Sequence, residues 1–170
     1  MHLRLDGRAR VLGDDVNTDY IITSARKRET IDAHVLKEYM LETLDPSFAA
    51  SVQSGDLLVA GNNFGCGSAM EVAVTVPCAA GIRAVLAKSF ARTYYRNAIN
   101  NGLIPIECDT SSIREGDRLS VELGATVTVH NETQRVTIPA LPLPAHMRRI
   151  LDAGGLVPYF RRYRDFEVPA

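Results

Sequence analysis

The chain has 170 residues, of which 46% are apolar and 23% charged, and its 19 basic and 20 acidic side chains leave a formal net charge of −1. These values belong to an ordinary folded domain and exclude a disordered or fibrous chain, while the near balance of charge excludes a general attraction for nucleic acid or an anionic membrane. No apolar run approaches the ~20 residues of a membrane span, and the N-terminal M-H-L-R-L-D-G-R has no apolar leader, so a cytoplasmic protein is expected.

A single domain over residues 1–170 is expected, because a domain usually takes about 100–200 residues and no repeat or linker divides the chain. Cys66, Cys78 and Cys108 are odd in number and lack metal-finger spacing. They predict reduced thiols and no self-contained metal site.

In chain order, residues 3–12 alternate as a strand and run into the polar, turn-forming G-D-D-V-N-T-D. Tyr20–Ile22 reads as further strand, T-S-A-R-K-R-E-T as a basic loop, and residues 33–43 as a helix. Residues 57–60 form a short buried strand. Ser68 then stands where a helix N-cap would, with Glu71 three residues later completing a capping box, and the helix runs to about Ala80 and is closed by Gly81. I-R-A-V-L-A-K supplies the next strand, giving a strand, helix, strand unit with parallel strands. A helix from about Phe90 to Asn101 and Gly102 follows, then a strand in L-I-P-I-E, antiparallel strands between Arg118 and Ile138, and a last helix in H-M-R-R-I-L-D-A-G-G-L. The whole reads as α/β, with helices on a central sheet and a peripheral antiparallel layer.

The chemistry concentrates in L-L-V-A-G-N-N-F-G-C-G-S-A-M-E, residues 57–71. Glycines at 61, 65 and 67 allow close approach of backbone to a ligand, and the following helix start offers unpaired N–H groups suited to an anion. Nucleotide readings are weak: G-x-G-x-x-G from Gly65 would need glycine at Met70, and a phosphate loop would need lysine before Ser68. Ser68 is either a plain N-cap or a reactive hydroxyl held in an anion site. Cys66, with no histidine near it in sequence, reads as packing. Arg26, Lys27 and Arg28 are either a solvated run or a carboxylate clamp, since arginine grips a carboxylate with two parallel hydrogen bonds. Asp14, Asp15 and Asp19 are turn acceptors or groups that orient an arginine or a proton-transfer partner.

Three segments, D-D-V-N-T-D-Y-I-I, G-N-N-F-G-C-G-S and A-K-S-F-A-R-T-Y-Y-R-N-A-I-N-N-G-L-I-P, together resemble the small subunit of 3-isopropylmalate dehydratase, over most of the chain. That subunit is similar to the C-terminal domain of aconitase. The resemblance implies a swivelling β/β/α domain that closes over a large subunit carrying a [4Fe–4S] cluster, none of whose ligands come from this chain. It also implies reversible dehydration of a 2-hydroxy dicarboxylic acid, with 3-isopropylmalate of leucine biosynthesis as the leading substrate. Homoaconitase-like and dimethylmalate dehydratase-like small subunits, and a non-catalytic diacid-binding module, are the alternatives. By the same resemblance Ser68 exchanges the Cα proton, Asp19 reaches the active site, and Gly67, Ala69 and Met70 line the substrate. The loop from Thr23 to Thr30 meets its distinguishing side group, through Arg28 or Arg26. The chain departs from the family where G-x-G-S-S-R-E becomes G-C-G-S-A-M-E, so that Ala69 and Met70 replace a serine and a carboxylate-binding arginine.

Overall fold

The computed structural model describes residues 2–164. Its centre is a seven-stranded sheet in the order β4-β3-β2-β1-β5-β6-β7. The strands are β1 (Leu3–Val11), β2 (Leu57–Val59), β3 (Ala84–Ala87), β4 (Ile104–Glu107), β5 (Arg118–Leu123), β6 (Val127–Asn131) and β7 (Val136–Ala140). The long first strand serves two halves. Its Ala9–Val11 end pairs in parallel with β2, whereas Leu3–Arg8 pairs antiparallel with β5. The antiparallel strands therefore continue the sheet instead of forming the separate layer expected from sequence. At one end the two edge strands meet, Cys108 bridging Ala140 and the Leu141 N–H donating to the Glu107 carbonyl at 2.9 Å.

Strands β2 and β3 are buried along their whole length, which is why they read as unbroken apolar runs. Leu58, Ala60, Val85 and Ala87 face one core, formed with Ile21, Leu36, Met40, Phe48, Met70 and Tyr94. The alternate residues Leu57, Val59, Ala84 and Leu86 face a second core shared with Leu119, Val121 and Val129.

The helices are α1 (Thr18–Ile21), α2 (Ser24–Glu29), α3 (Ala33–Leu36), α4 (Phe48–Ser51), α5 (Val72–Ala79), α6 (Arg92–Asn100), α7 (Ala145–Asp152) and α8 (Leu156–Tyr163). Four local expectations are corrected. Thr18–Ile21 is a helical turn, not a strand, because the Asn17 side chain caps it by accepting from the Asp19 N–H. The basic segment is also helical, with Thr23 accepting from the Arg26 N–H and an A-R-K-R-E run of good helix formers. The helix expected over 33–43 breaks after α3 into a 3₁₀ turn at Lys37–Tyr39, and Leu41 has φ +59°. The helix expected in H-M-R-R-I-L-D-A-G-G-L is α7 and ends before Gly154 and Gly155, but it is not the last, since α8 follows.

Candidate active site

The loops after β1 and β2 leave the carboxyl ends of neighbouring parallel strands, where open α/β sheets place their ligand crevices. Hydrogen bonds stitch the two loops together. Asp14 accepts from the Asn62 N–H at 2.6 Å, Asn63 Nδ2 donates to Asp15 at 2.8 Å, and the Gly65 N–H donates to the Val16 carbonyl at 2.8 Å. Two glycines are required here. Gly65 has φ +78° and lies against the Tyr94 ring, and Gly67 has φ +94° and lies against the Asn17 amide, so a Cβ at either would collide.

Ser68 is not a helix cap. The helix begins four residues later at Val72, Glu71 occupies the cap position without a side-chain bond, and the capping box expected from sequence is absent. The reason is a tertiary bond: the Ser68 carbonyl, which a helix starting there would give to Val72, accepts instead from Thr18 Oγ1 at 2.8 Å. The Ser68 side chain is left exposed, and among the described residues its hydroxyl has no hydrogen-bond partner.

The carbonyls on this loop alternate. Cys66 accepts from the Thr18 N–H at 2.8 Å, Ser68 from the Thr18 hydroxyl, and Met70 from Asn97 Nδ2 at 3.3 Å. In a trans peptide the next N–H points the opposite way. The N–H groups of Gly67, Ala69 and Glu71 therefore turn away from these anchors, and among the described residues none has an acceptor. A free serine hydroxyl on a loop with three unpaired N–H donors, just before α5, suits a developing negative charge.

Asp19 follows Thr18 directly. Its Oδ1 accepts from both the Ser24 hydroxyl (2.6 Å) and the Ser24 N–H (2.7 Å). Those bonds, with the charge of Arg28, hold its carboxyl below the usual carboxylate range, so it is ionised at neutral pH. Arg26 points elsewhere: it grips Glu42 with two hydrogen bonds of 3.0 and 3.2 Å and stacks its guanidinium 3.7 Å above the Tyr39 ring. Arg28 is exposed and has no hydrogen bond or ion pair among the described residues. Lys27, the middle residue of the basic run, lines a cleft of about 490 Å³ with Ile31, Ala33, Glu71, Val72 and Thr75, between α2 and the first turns of α5.

The aconitase C-terminal domain family matches residues 18–111. The chain is 42% identical over 166 residues to 3-isopropylmalate dehydratase small subunit 2 of Archaeoglobus fulgidus, covering 98% of this chain and 100% of the relative. It is 44% identical over 161 residues to the methanogen homoaconitase small subunit of Methanocaldococcus jannaschii, covering 93% and 92%. The crystal structure of a 3-isopropylmalate dehydratase of M. jannaschii superposes with a TM-score of 0.91 at 42% identity, over 95% of this chain and 96% of that one. The chain belongs to the 3-isopropylmalate dehydratase small-subunit family.

The family implies an iron–sulphur cluster, and the cysteines of this chain do not fit one. They stand apart in the loop after β2 (Cys66), in α5 (Cys78) and beyond β4 (Cys108), all free. Among the described residues no three of His, Cys, Asp or Glu are grouped to hold a metal ion. Burial pushes the Cys78 thiol up to about 11, and burial with the charge of Asp109 pushes Cys108 up to about 12, so neither is a ready thiolate.

The departure at 69–70 acquires a location. Met70 is 4% exposed and its side chain belongs to the core with Phe64, Val74 and Tyr94. Ala69 and Gly67 are exposed beside Ser68. At position 70 the side chain packs inward, while its neighbours Ser68, Ala69 and Glu71 stay exposed.

Proposed function

We propose that this chain is the small subunit of a 3-isopropylmalate dehydratase, a hydro-lyase that works only with a large subunit, and that Ser68 exchanges the substrate's Cα proton. The observation that carries the reading is the unpartnered Ser68 hydroxyl beside the outward N–H groups of Gly67, Ala69 and Glu71.

Moving a hydroxyl group between adjacent carbons of a diacid means losing water across a C–C bond and adding it back in the other sense. A proton must leave the carbon next to a carboxylate and later return. Serine holds its proton tightly, so its oxygen accepts a proton from carbon only where an alkoxide-like charge is stabilised. The three N–H donors and the positive end of α5 supply that stabilisation in a site closed to water. The iron–sulphur cluster assigned to the large subunit would assist loss of the hydroxyl as a Lewis acid.

Within this chain Arg28 takes a substrate carboxylate and Asp19 orients it, which leaves Arg26 a structural role. Of the residues expected to line the substrate, Gly67 and Ala69 offer it free backbone N–H groups in place of the missing arginine, whereas Met70 contributes packing beneath them. A second reading, a homoaconitase-type substrate with an additional carboxylate, is favoured by Lys27 on the cleft beside α5. Reconstitution with the large subunit and a screen of malate-type diacids decides between them. Fastest turnover of 3-isopropylmalate is expected; preference for a tricarboxylate selects the second reading, and inactivity on all of them overturns both.

A further inference from the structure

The bonds that display Ser68 converge on one residue. Thr18 is 2% exposed, and it spends both of its donors on the loop that carries the serine: N–H to the Cys66 carbonyl and hydroxyl to the Ser68 carbonyl, each at 2.8 Å. We propose that Thr18 is a positioning residue for proton transfer, fixing the peptide planes on both sides of Ser68. This inference rests on the assignment of Ser68 above.

The geometry follows from peptide planarity. Holding the Ser68 carbonyl sets the orientation of the 68–69 peptide, and with it the direction of the Ala69 N–H. Holding the Cys66 carbonyl does the same for the Gly67 N–H. Without the hydroxyl bond, the Ser68 carbonyl would lose its partner, and the chain from 67 to 71 would be free to relax toward the regular helix start that S-A-M-E favours by itself. Ser68 would then cap a helix, its hydroxyl occupied by a backbone N–H. Because Asp19 is the next residue, the same anchor also fixes the spacing between the two functional loops.

The test uses the complex reconstituted with its large subunit. Thr18→Val keeps the shape and deletes the donor; Thr18→Ser keeps the donor. The expected result is a fall in kcat of about 10–100-fold for Thr18→Val, the scale of a misplaced reacting group, with KM within about threefold and thermal stability restored to near wild type by Thr18→Ser together with kcat. In the Ser68→Ala background, Thr18→Val should cause no further loss, because a residue acting through Ser68 has nothing left to position. Wild-type kcat in an assembled Thr18→Val complex overturns the proposal, as does a loss that multiplies that of Ser68→Ala. If the valine variant fails to assemble, Thr18→Ala, which also deletes the donor, takes its place, and wild-type kcat there is equally contrary. A wild-type complex inactive on every diacid sinks the functional reading and this one together; an active wild type matched by Thr18→Val sinks only this one.

Discussion

The two ends of the parallel strands are both rich in polar side chains, and they treat them in opposite ways. At the amino end of β2, Asp56 is 3% exposed and fully engaged: Arg8 donates to it at 2.8 and 3.1 Å, the Gln53 N–H at 2.9 Å, and Arg10 approaches at 3.5 Å. Arg10 is itself paired with Glu115 at 2.8 Å and stacked 4.4 Å from the Phe48 ring. At the carboxyl end, the Ser68 hydroxyl and three backbone N–H groups have no hydrogen-bond partner, and Arg28 has neither hydrogen bond nor ion pair, among the described residues. Density of charge thus says little about function. The informative difference is whether the polar groups satisfy one another, as a structural network does, or are held open at a cost in stability.

That contrast is broken most sharply by closing the open end. Gly67→Ala places a methyl group at φ +94° against the Asn17 amide, next to the serine. It should reduce kcat by about 100-fold, the scale of a misplaced reacting group, in a complex that still assembles; unchanged kcat would show that the loop tolerates rearrangement. Breaking the paired end should do the reverse. Asp56→Ala removes the partner of two arginines, one of them buried, and should cost about 3 kcal/mol in chemical denaturation, while kcat per folded complex stays near wild type.

The same end predicts a pH dependence. Burial works to raise the Asp56 carboxyl, but hydrogen bonds from Arg8, the Gln53 N–H and Arg10 outweigh it and hold the carboxyl below the usual carboxylate range. A carboxyl depressed in the folded state adds stability at pH values above its unfolded pKa, and that stability is lost as pH falls through the folded pKa. Arg8→Gln should therefore flatten the acid limb of a stability profile below about pH 5, by the linkage scale for a salt-bridged aspartate, and leave neutral kinetics alone.

Smaller effects separate the arginines of α2. Arg28→Gln is expected to raise KM about tenfold, the modest end of the scale for removing one partner of a charge pair in a closed site. Arg26→Gln should leave KM unchanged and lower the thermal midpoint slightly, because it removes both the Glu42 pair and the stacking on Tyr39. Equal KM effects would contradict the division of roles. The smallest change is expected from Ser24→Ala. It removes the main cause of the low Asp19 carboxyl pKa, so the acid limb of kcat/KM should shift to higher pH, with the plateau near neutrality retained.

Much of this is legible in the residues themselves. The apolar runs of β2 and β3, the glycine turn at Gly81 and the hairpin strands after Arg118 follow from local pattern, and the structure has them. The motifs around Asp19, Ser68 and Phe90 likewise carry the family without any coordinates. What local pattern misreads is decided by partners far along the chain. S-A-M-E is a good capping box, yet Thr18, fifty residues earlier, takes the Ser68 carbonyl. R-K-R-E looks like a solvated loop, yet Thr23, Glu42 and Tyr39 make it a helix with one arginine committed. Thr18 lies inside the first family motif, but a threonine before an aspartate carries no signal of its own until its hydroxyl is seen to cross between loops.

The most direct measurement follows the proton itself. The reconstituted complex is incubated in D₂O with 3-isopropylmalate, and deuterium entering at the Cα carbon is followed by NMR or mass spectrometry, for the wild type and for Ser68→Ala. Exchange by the wild type and its loss in Ser68→Ala, with assembly intact, is the predicted result. Wild-type exchange in Ser68→Ala would contradict the central claim and move the proton-transferring group to another residue.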